Sequence, residues 1–180
     1  MMSKGLLAGS ELHELIEDGV IDALHENVNA SSIDVRIGDE VWVEAPAAGT
    51  VINLVNKEMP AMTVHPIHGV IDILPLSFVL AHTIEKFNLP DTISAEFKLR
   101  SSVARAGLNH HLAGWADAGW YGAQLTMELF NACRFHSLRI EAGMRIGQMV
   151  FYRHTPAGEN SYALKGRYNG TVGVSRKEVA

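Results

Sequence analysis

Residues Phe97–Asn131 read FKLRSSVARAGLNHHLAGWADAGWYGAQLTMELFN, and this stretch contains the pattern that decides the fold. It opens on the end of one candidate strand and closes on a second, Gly122–Phe130, in which side chains of different polarity alternate. Between them, Gly107 and Gly119 break the pattern, as turn residues do. Alternation places neighbouring side chains on opposite faces of a strand, so these residues predict a sheet with one buried face.

Short strands separated by Gly and Pro continue through most of the chain. The candidate strands are Ser32–Ile37, Glu40–Val43, Val51–Leu54, Gly69–Leu74, Phe78–Thr83, Ser94–Leu99, Gly122–Phe130, Ser137–Ile140 and Ile146–Arg153. Many short strands with regular breaks favour an all-β sandwich or barrel. Helical spacing of leucines predicts one short helix, which begins near Ser10 and stops at Gly19. We expect one domain over residues 1–180, with residues 156–180 as a flexible tail that closes over a site.

Composition narrows the class of protein. The 180 residues are 47% hydrophobic and carry a net charge of −5, which is typical of a globular chain and argues against a nonspecific nucleic-acid binder. No apolar run is long enough to cross a membrane, and the N-terminus does not resemble a signal peptide, so a cytoplasmic location is expected. Cys133 is the only cysteine, which excludes a zinc site that needs two thiolates.

Basic and hydroxyl side chains cluster in the R-S-S-V-A-R segment, which contains Arg100, Ser101, Ser102 and Arg105. Guanidinium groups and hydroxyls at this spacing provide the charge-assisted and neutral hydrogen bonds that a polyphosphate needs. A solvated loop with incidental charges explains the same residues equally well. The segment alone leaves both interpretations open.

Two acids follow this cluster. Glu128 lies in an apolar run, and an apolar setting raises the pKa of a carboxyl towards neutrality, as proton transfer requires. If Met127 and Leu129 face the core, Glu128 and Thr126 face the other side and line a pocket. Asp117 lies in a Gly-rich turn, where it either bonds to its own backbone or touches a sugar hydroxyl. A phosphate cluster beside a proton-transfer acid indicates an enzyme acting on a nucleotide.

Several motifs in a fixed order resemble the dCTP deaminase branch of the dUTPase-like superfamily. They are S-S-I-D-V-R-I-G (31–38), T-I-E-K-F-N-L-P (83–90), R-S-S-V-A-R-A-G-L (100–108), A-G-W-A-D-A-G-W (113–120), L-T-M-E-L-F-N (125–131) and G-M-R-I-G-Q (143–148). The resemblance covers most of the chain, and several ordered motifs are far more specific than one.

The resemblance implies a distorted β-barrel or jelly roll and a homotrimer with active sites between subunits. It also implies dCTP or dUTP as the ligand, with Mg²⁺ bound through the phosphates and no zinc. Glu128 would be the catalytic acid and base, with Ser101 and Arg105 ordering the attacking water. The other residues implied to bind substrate are Arg100, Ser102, Asp117, Thr126, Met127, Gln148, Tyr162 and Arg167.

The pair Gly114-Trp115 resembles members of the family that also hydrolyse dUTP to dUMP. The resemblance therefore favours deamination of dCTP followed by release of diphosphate. Three alternatives remain open at this point: a deaminase that releases dUTP, a dUTPase without deamination, and a nucleotide-sensing protein without turnover.

Overall fold

The computed structural model describes residues 5–47 and 49–175, and antiparallel strands dominate this part of the chain. The strands are β1 Gly5–Leu6, β2 Ile33–Glu44, β3 Met62–Pro66, β4 Val70–Ile73, β5 Phe78–Asn88, β6 Ile93–Leu99, β7 Leu108–Asn109, β8 Trp115–Ala116, β9 Tyr121–Asn131, β10 Leu138–Glu141 and β11 Arg145–Arg153. The helices are α1 Ser10–Glu17, α2 Ser101–Arg105 and α3 Tyr162–Lys165, and 3₁₀ turns occur at His25–Asn27, Leu54–Asn56 and Gly158–Asn160.

One long strand, β2, joins the two halves of the main sheet. Its first half pairs with β11, and its second half pairs with β5 and β3. The strand order along the sheet is β7-β9-β5-β2-β11-β6-β8, with β1 added to β11 and β3 added to β2. The pairing register shifts between Ile37 and Val41, and such irregularities increase the local twist. The sheet therefore curls, while β4 and β10 form a separate ribbon.

The core lies on the inner face of this curled sheet. Phe87, Phe97 and Phe151 are fully buried there, and α1 packs Leu12 and Leu15 against the same cluster. Burying aromatic and aliphatic side chains is the main favourable contribution to folding. The all-β class and the short N-terminal helix predicted from the sequence are confirmed. Helix α1 begins at Ser10 and ends before Gly19, although Ser10 forms no capping hydrogen bond.

Two strand predictions were wrong, and strand β3 was missed along with the two-residue strands β1, β7 and β8. Val51–Leu54 is not a strand: Val51 and Leu54 are exposed, and Asn53 instead caps the following turn by accepting a hydrogen bond from the Val55 amide. The two strands predicted before and after Gly38 are one continuous strand, β2. Strand β3 was missed because it lies at a sheet edge, where His65 and Pro66 are tolerated.

Candidate active site

A cavity of about 410 Å³ opens over β5 and β9, and we call it the first cavity. Glu128 lies in its wall, half-buried and opposite Leu80 on the neighbouring strand. Thr126 lies on the same face and also lines the cavity. The alternation predicted for β9 is thus confirmed, because Met127 and Leu129 point into the core.

Burial raises the pKa of Glu128, and its own backbone amide opposes this with a smaller effect. Among the described residues, no Arg, Lys or His forms an ion pair with this carboxyl. An apolar wall that includes Phe78 and Leu80 surrounds it. A carboxyl without a counter-charge in such a setting is suited to accepting and donating protons.

Asp117 lies in the same cavity and is oriented by its neighbour Trp115. The indole Nε1–H of Trp115 donates to Asp117 Oδ1 at 2.9 Å. The ring itself stacks on Tyr152 with 6.1 Å between centroids. These contacts leave the second carboxylate oxygen of Asp117 available for a ligand hydroxyl.

Gly114 precedes Trp115 and packs directly on β6. A Cβ at this position would lie 2.7 Å from Phe97 Cβ and 3.0 Å from Phe97 O. The Phe97 amide also donates to Gly114 O at 2.7 Å. A glycine is therefore needed here for close backbone approach, and it fixes the start of the segment that carries Trp115 and Asp117.

The described part of the C-terminal tail, up to Ser175, packs against β9 and closes one side of the first cavity. The Tyr162 amide donates to Ala118 O at 2.9 Å, and the Ser175 amide donates to Thr126 Oγ1 at 3.0 Å. Tyr162, Tyr168 and Ser175 line the cavity. Residues 176–180 of the predicted closing tail lie outside the described residues.

A second cavity, of about 240 Å³, lies at the start of α2. It is lined by Asn29, Asp34, Leu99, Arg100, Ser101, Ser102 and Gln148. The Arg100 amide donates to Ile146 O at 3.1 Å, which fixes the junction between β6 and α2 next to β11. The cavity thus collects one guanidinium, two hydroxyls and two side-chain amides, which suit an anionic, oxygen-rich ligand, together with one carboxylate, Asp34.

The structure therefore distributes the predicted site residues between two cavities. Trp115, Asp117, Thr126, Glu128 and Tyr162 line the first, and Arg100, Ser101, Ser102 and Gln148 line the second.

Four predicted residues line neither cavity, and one of them is Gly114, which packs on Phe97. Met127 is 1% exposed in the core, because strand alternation turns it away from Glu128, so only its main chain can contact a ligand in the first cavity. Arg105 and Arg167 are exposed on the surface of the subunit.

Sequence reasoning assigned no role to Asp34, although the residue lies in a quoted motif. It also missed the apolar wall of the first cavity, to which Phe78, Leu80 and Trp120 contribute. The apolar run at the start of Phe78–Thr83 was the one available signal for Phe78 and Leu80. The ion pairs of Asp34 gave no signal, because Arg100 and Arg145 lie far along the chain.

Comparison with known proteins identifies the family. A family model described as dCTP deaminase-like matches residues 6–154, so the chain belongs to the dCTP deaminase-like family. A protein of Aquifex aeolicus named "dCTP deaminase, dUMP-forming" is 37% identical over 94% of this chain and 92% of its own length. A Methanoregula boonei protein of the same name is 41% identical over 77% of this chain and 74% of its own.

A Thermococcus kodakarensis protein named "dCTP deaminase" is 33% identical over 81% of each chain. Among solved structures, the 2'-deoxycytidine 5'-triphosphate deaminase of Agrobacterium tumefaciens superimposes with a TM-score of 0.65 at 20% identity. The match covers 84% of this chain and about half, 49%, of that one. This likeness supports the fold.

Within residues 5–47 and 49–175, no three His, Cys, Asp or Glu side chains lie together as a metal-binding group would require. No helix in this part of the chain has the length and apolar character needed to cross a membrane.

Proposed function

We propose that the protein converts dCTP to dUTP and ammonia, and then hydrolyses dUTP to dUMP and diphosphate. The observation that carries the proposal is Glu128, a half-buried carboxyl with a raised pKa and no cationic partner among the described residues, on one wall of a nucleotide-sized cavity. The relatives named "dCTP deaminase, dUMP-forming" support the assignment of both reactions. A cytoplasmic location goes with this proposal.

The chemistry assigned to Glu128 is general acid–base catalysis. The carboxylate takes a proton from water while the water oxygen attacks C4 of cytosine, and the proton passes to N3. Glu128 then takes the proton of the new C4 hydroxyl and passes it to the amino group, so that the C4=O bond forms, the C4–N bond breaks and ammonia leaves. The balance is dCTP plus water giving dUTP plus ammonia, and Glu128 returns to its starting state.

Substrate binding is assigned to the residues around this carboxyl. Asp117 accepts a hydrogen bond from the deoxyribose hydroxyl, and Thr126 contacts the base. Tyr162 and Arg167 belong to the tail, which closes over the nucleotide. Mg²⁺ enters as part of the nucleotide, held by its phosphate oxygens, and is the ion that makes diphosphate a better leaving group in the second reaction.

Gly114 and Trp115 are assigned to that second reaction. Trp115 orients Asp117 through the 2.9 Å hydrogen bond, and Asp117 in turn positions a water molecule against the α-phosphate. Water attacks phosphorus, the bond to the bridging oxygen breaks, and diphosphate leaves. The balance is dUTP plus water giving dUMP plus diphosphate.

We further propose that the active form is a homotrimer in which the second cavity of one subunit completes the first cavity of the next. Within one subunit, the acid lies in one cavity and the phosphate-type groups lie in the other. Leu112 and Phe135 are 85% and 81% exposed, and such large apolar side chains favour burial between subunits. This arrangement brings Ser101 and Arg105 to Glu128 from a neighbouring subunit.

The reaction is tested by incubating the protein with dCTP and Mg²⁺, separating the nucleotides by chromatography and assaying ammonia. Ammonia, dUMP and diphosphate in equal amounts, without lasting dUTP, are expected. Accumulated dUTP would reduce the proposal to a simple deaminase. If dCTP gives no ammonia, hydrolysis of added dUTP would indicate a dUTPase, and binding without any product would indicate a sensing protein.

Shared sites are tested by mixing two impaired variants. Subunits carrying Glu128→Gln and subunits carrying Ser101→Ala are dissociated, mixed in equal amounts and reassociated. If each site uses both residues from different subunits, about a quarter of the sites recover both intact groups. No recovery in a mixture shown by mass measurement to contain hybrid trimers would contradict the shared site.

A further inference from the structure

The second cavity contains an acid that the proposed reaction does not use. Asp34, on β2, is 3% exposed and lines a cavity assigned to an anionic ligand. A buried carboxylate is costly unless charges and hydrogen bonds compensate it, and here it would also repel a phosphate. The presence of the Asp34 carboxylate in this cavity therefore requires a physical reason.

Three side chains from separate parts of the chain meet at this carboxylate. Asn29 Nδ2 donates to Asp34 Oδ1 at 2.9 Å. The other oxygen, Oδ2, lies 3.4 Å from Arg145 Nη1 and 3.7 Å from Arg100 Nε. One acid thus holds a guanidinium from the end of β6 and another from the start of β11.

The geometry of these ion pairs leaves most donors of both arginines free. An exposed pair elsewhere in the protein shows the contrast: Arg139 donates two N–H groups to the two oxygens of Asp72, at 2.7 and 2.9 Å, in a closed bidentate contact. Arg100 and Arg145 instead approach one shared oxygen through single, longer contacts, and their side chains are 35% and 48% exposed. A guanidinium has five N–H donors, so each can still bind a phosphate oxygen.

The net charge around Asp34 also favours an anionic ligand. Two guanidinium groups around one carboxylate leave a net charge of +1 beside the second cavity: Arg100 lines it, and Arg145 lies next to it through its 3.4 Å contact with Asp34. Ser32 Oγ donates to Gln148 Oε1 at 2.8 Å, so the Nε2 group of Gln148 keeps its N–H donors for a ligand. The ligand that satisfies these free donors is a chain of phosphates.

We propose that Asp34 is a positioning residue that holds Arg100 and Arg145 at the second cavity with donors free, and that Arg145 is a further phosphate-binding residue of the nucleotide site. The inference rests on the proposed function, because it takes the second cavity as the phosphate end of that site. Asp34 itself does not touch substrate. It acts by fixing two cations that would otherwise point into solvent.

The test compares Asp34→Asn, Arg145→Gln and Arg145→Lys with Arg139→Gln, an exposed arginine outside both cavities. We expect Asp34→Asn and Arg145→Gln to raise the KM for dCTP about tenfold with kcat nearly unchanged, since phosphate contacts stabilise ground and transition states alike. Arg145→Lys keeps the charge and loses the planar fork, so its KM should be intermediate. Arg139→Gln should match the unmodified protein.

Inorganic tripolyphosphate, titrated by calorimetry into the same four variants, gives a readout that does not need turnover. We expect its dissociation constant to rise in parallel with KM. A tighter tripolyphosphate complex with Asp34→Asn would show that the acid only subtracts charge, and an unchanged KM in Arg145→Gln would leave Arg145 as a mere partner of Asp34. Either result overturns the inference.

Two controls separate a failure of this inference from a failure to fold and from a failure of the proposed function. If Asp34→Asn does not fold, Arg145→Gln carries the test, because Asp34 keeps Asn29 and Arg100 as partners in that variant. If the unmodified protein releases no ammonia from dCTP, the proposed function fails, whereas the tripolyphosphate titration still decides whether these arginines bind phosphate.

Discussion

Glu128 in the first cavity and Asp34 in the second are both carboxylates, and their surroundings differ. Glu128 faces an apolar wall and has no ion pair among the described residues, whereas Asp34 has two guanidinium groups and an amide around it. An acid without a counter-charge can exchange protons, and an acid between two cations holds them in place. The comparison teaches that burial without a counter-charge suits a carboxylate to proton transfer, whereas burial between two cations suits it to positioning them.

Removing the unpaired acid is expected to give the largest effect. Glu128→Gln keeps the shape of the first cavity and abolishes proton transfer, so ammonia release from dCTP should fall about 1000-fold. The matched control is Glu141→Gln, which changes an exposed carboxyl on β10 that lines neither cavity. Ammonia assays on both variants check this, and near-normal release by Glu128→Gln would remove Glu128 from the mechanism.

The second largest effect is expected from displacing the segment that brings Trp115 and Asp117 to the first cavity. Gly114→Ala would place a Cβ 2.7 Å from Phe97 Cβ, so the segment with Trp115 and Asp117 must shift. We expect kcat/KM to fall about tenfold or more and the free energy of unfolding to fall by about 1–3 kcal/mol, as is usual for overpacking. Chemical denaturation and kinetics check both. Ala132→Ser, at an exposed residue that lines neither cavity, is the control and should change neither.

The pH dependence of ammonia release is expected to follow the protonation of Glu128. Because burial raises the pKa of Glu128 above its ordinary 4.5, the base form needed for attack is lost at a higher pH than for an exposed carboxyl. The rate of ammonia release should fall about tenfold per pH unit below that pKa. Rate measurements between pH 4 and 8, with Glu141→Gln as control, check this; an acid limb at the ordinary value would contradict it.

A smaller effect is expected from the contact that orients Asp117. Trp115→Phe keeps an aromatic ring against Tyr152 and removes the N–H that donates to Asp117 Oδ1. The loss of one charge-assisted hydrogen bond predicts a reduction of kcat/KM by about fivefold, in both dCTP deamination and dUTP hydrolysis. Steady-state kinetics with each nucleotide check this. Unchanged kinetics with both substrates would mean that Asp117 holds its orientation without the indole.

The smallest effect concerns stability. A carboxyl whose pKa is raised in the folded state binds its proton more tightly there, so folding loses free energy as the pH rises through the window between the unfolded and folded pKa values. Glu128→Gln removes this cost. We therefore expect the variant to have a slightly higher Tm than the unmodified protein at pH 8 and the same Tm at pH 4. Thermal unfolding at both values decides it, and a lower Tm at pH 8 would contradict it.

Sequence reasoning predicted what depends on neighbours along the chain. The alternation in β9 placed Glu128 and Thr126 on the exposed face and Met127 in the core, and the structure confirms this arrangement. The R-S-S segment was expected beside a bound phosphate, and Arg100, Ser101 and Ser102 do line one cavity together.

What depended on distant contacts could not be predicted. Asp34 and Arg145 lie 111 residues apart in the chain, so no local pattern indicates their ion pair. Nor does any spacing show that the acid at Glu128 and the cation at Arg100 line different cavities. The false strand at Val51–Leu54 has the apolar composition of a strand, but no neighbouring strand pairs with it in the described structure.

Strand β2 has a consequence for how motion spreads through the molecule. Asp34, near its start, lines the second cavity, and Glu40, in its later half, accepts a hydrogen bond from the tail at Val174. Its ladder with β11 ends at Arg36, and its ladders with β5 and β3 begin at Ile37 and Glu40, so the amides paired in these ladders should be among the slowest to exchange with deuterium. A ligand bound in the second cavity and the tail closed over the first cavity would then contact the two ends of the same strand. We expect each of them to change the amide exchange rates along β2.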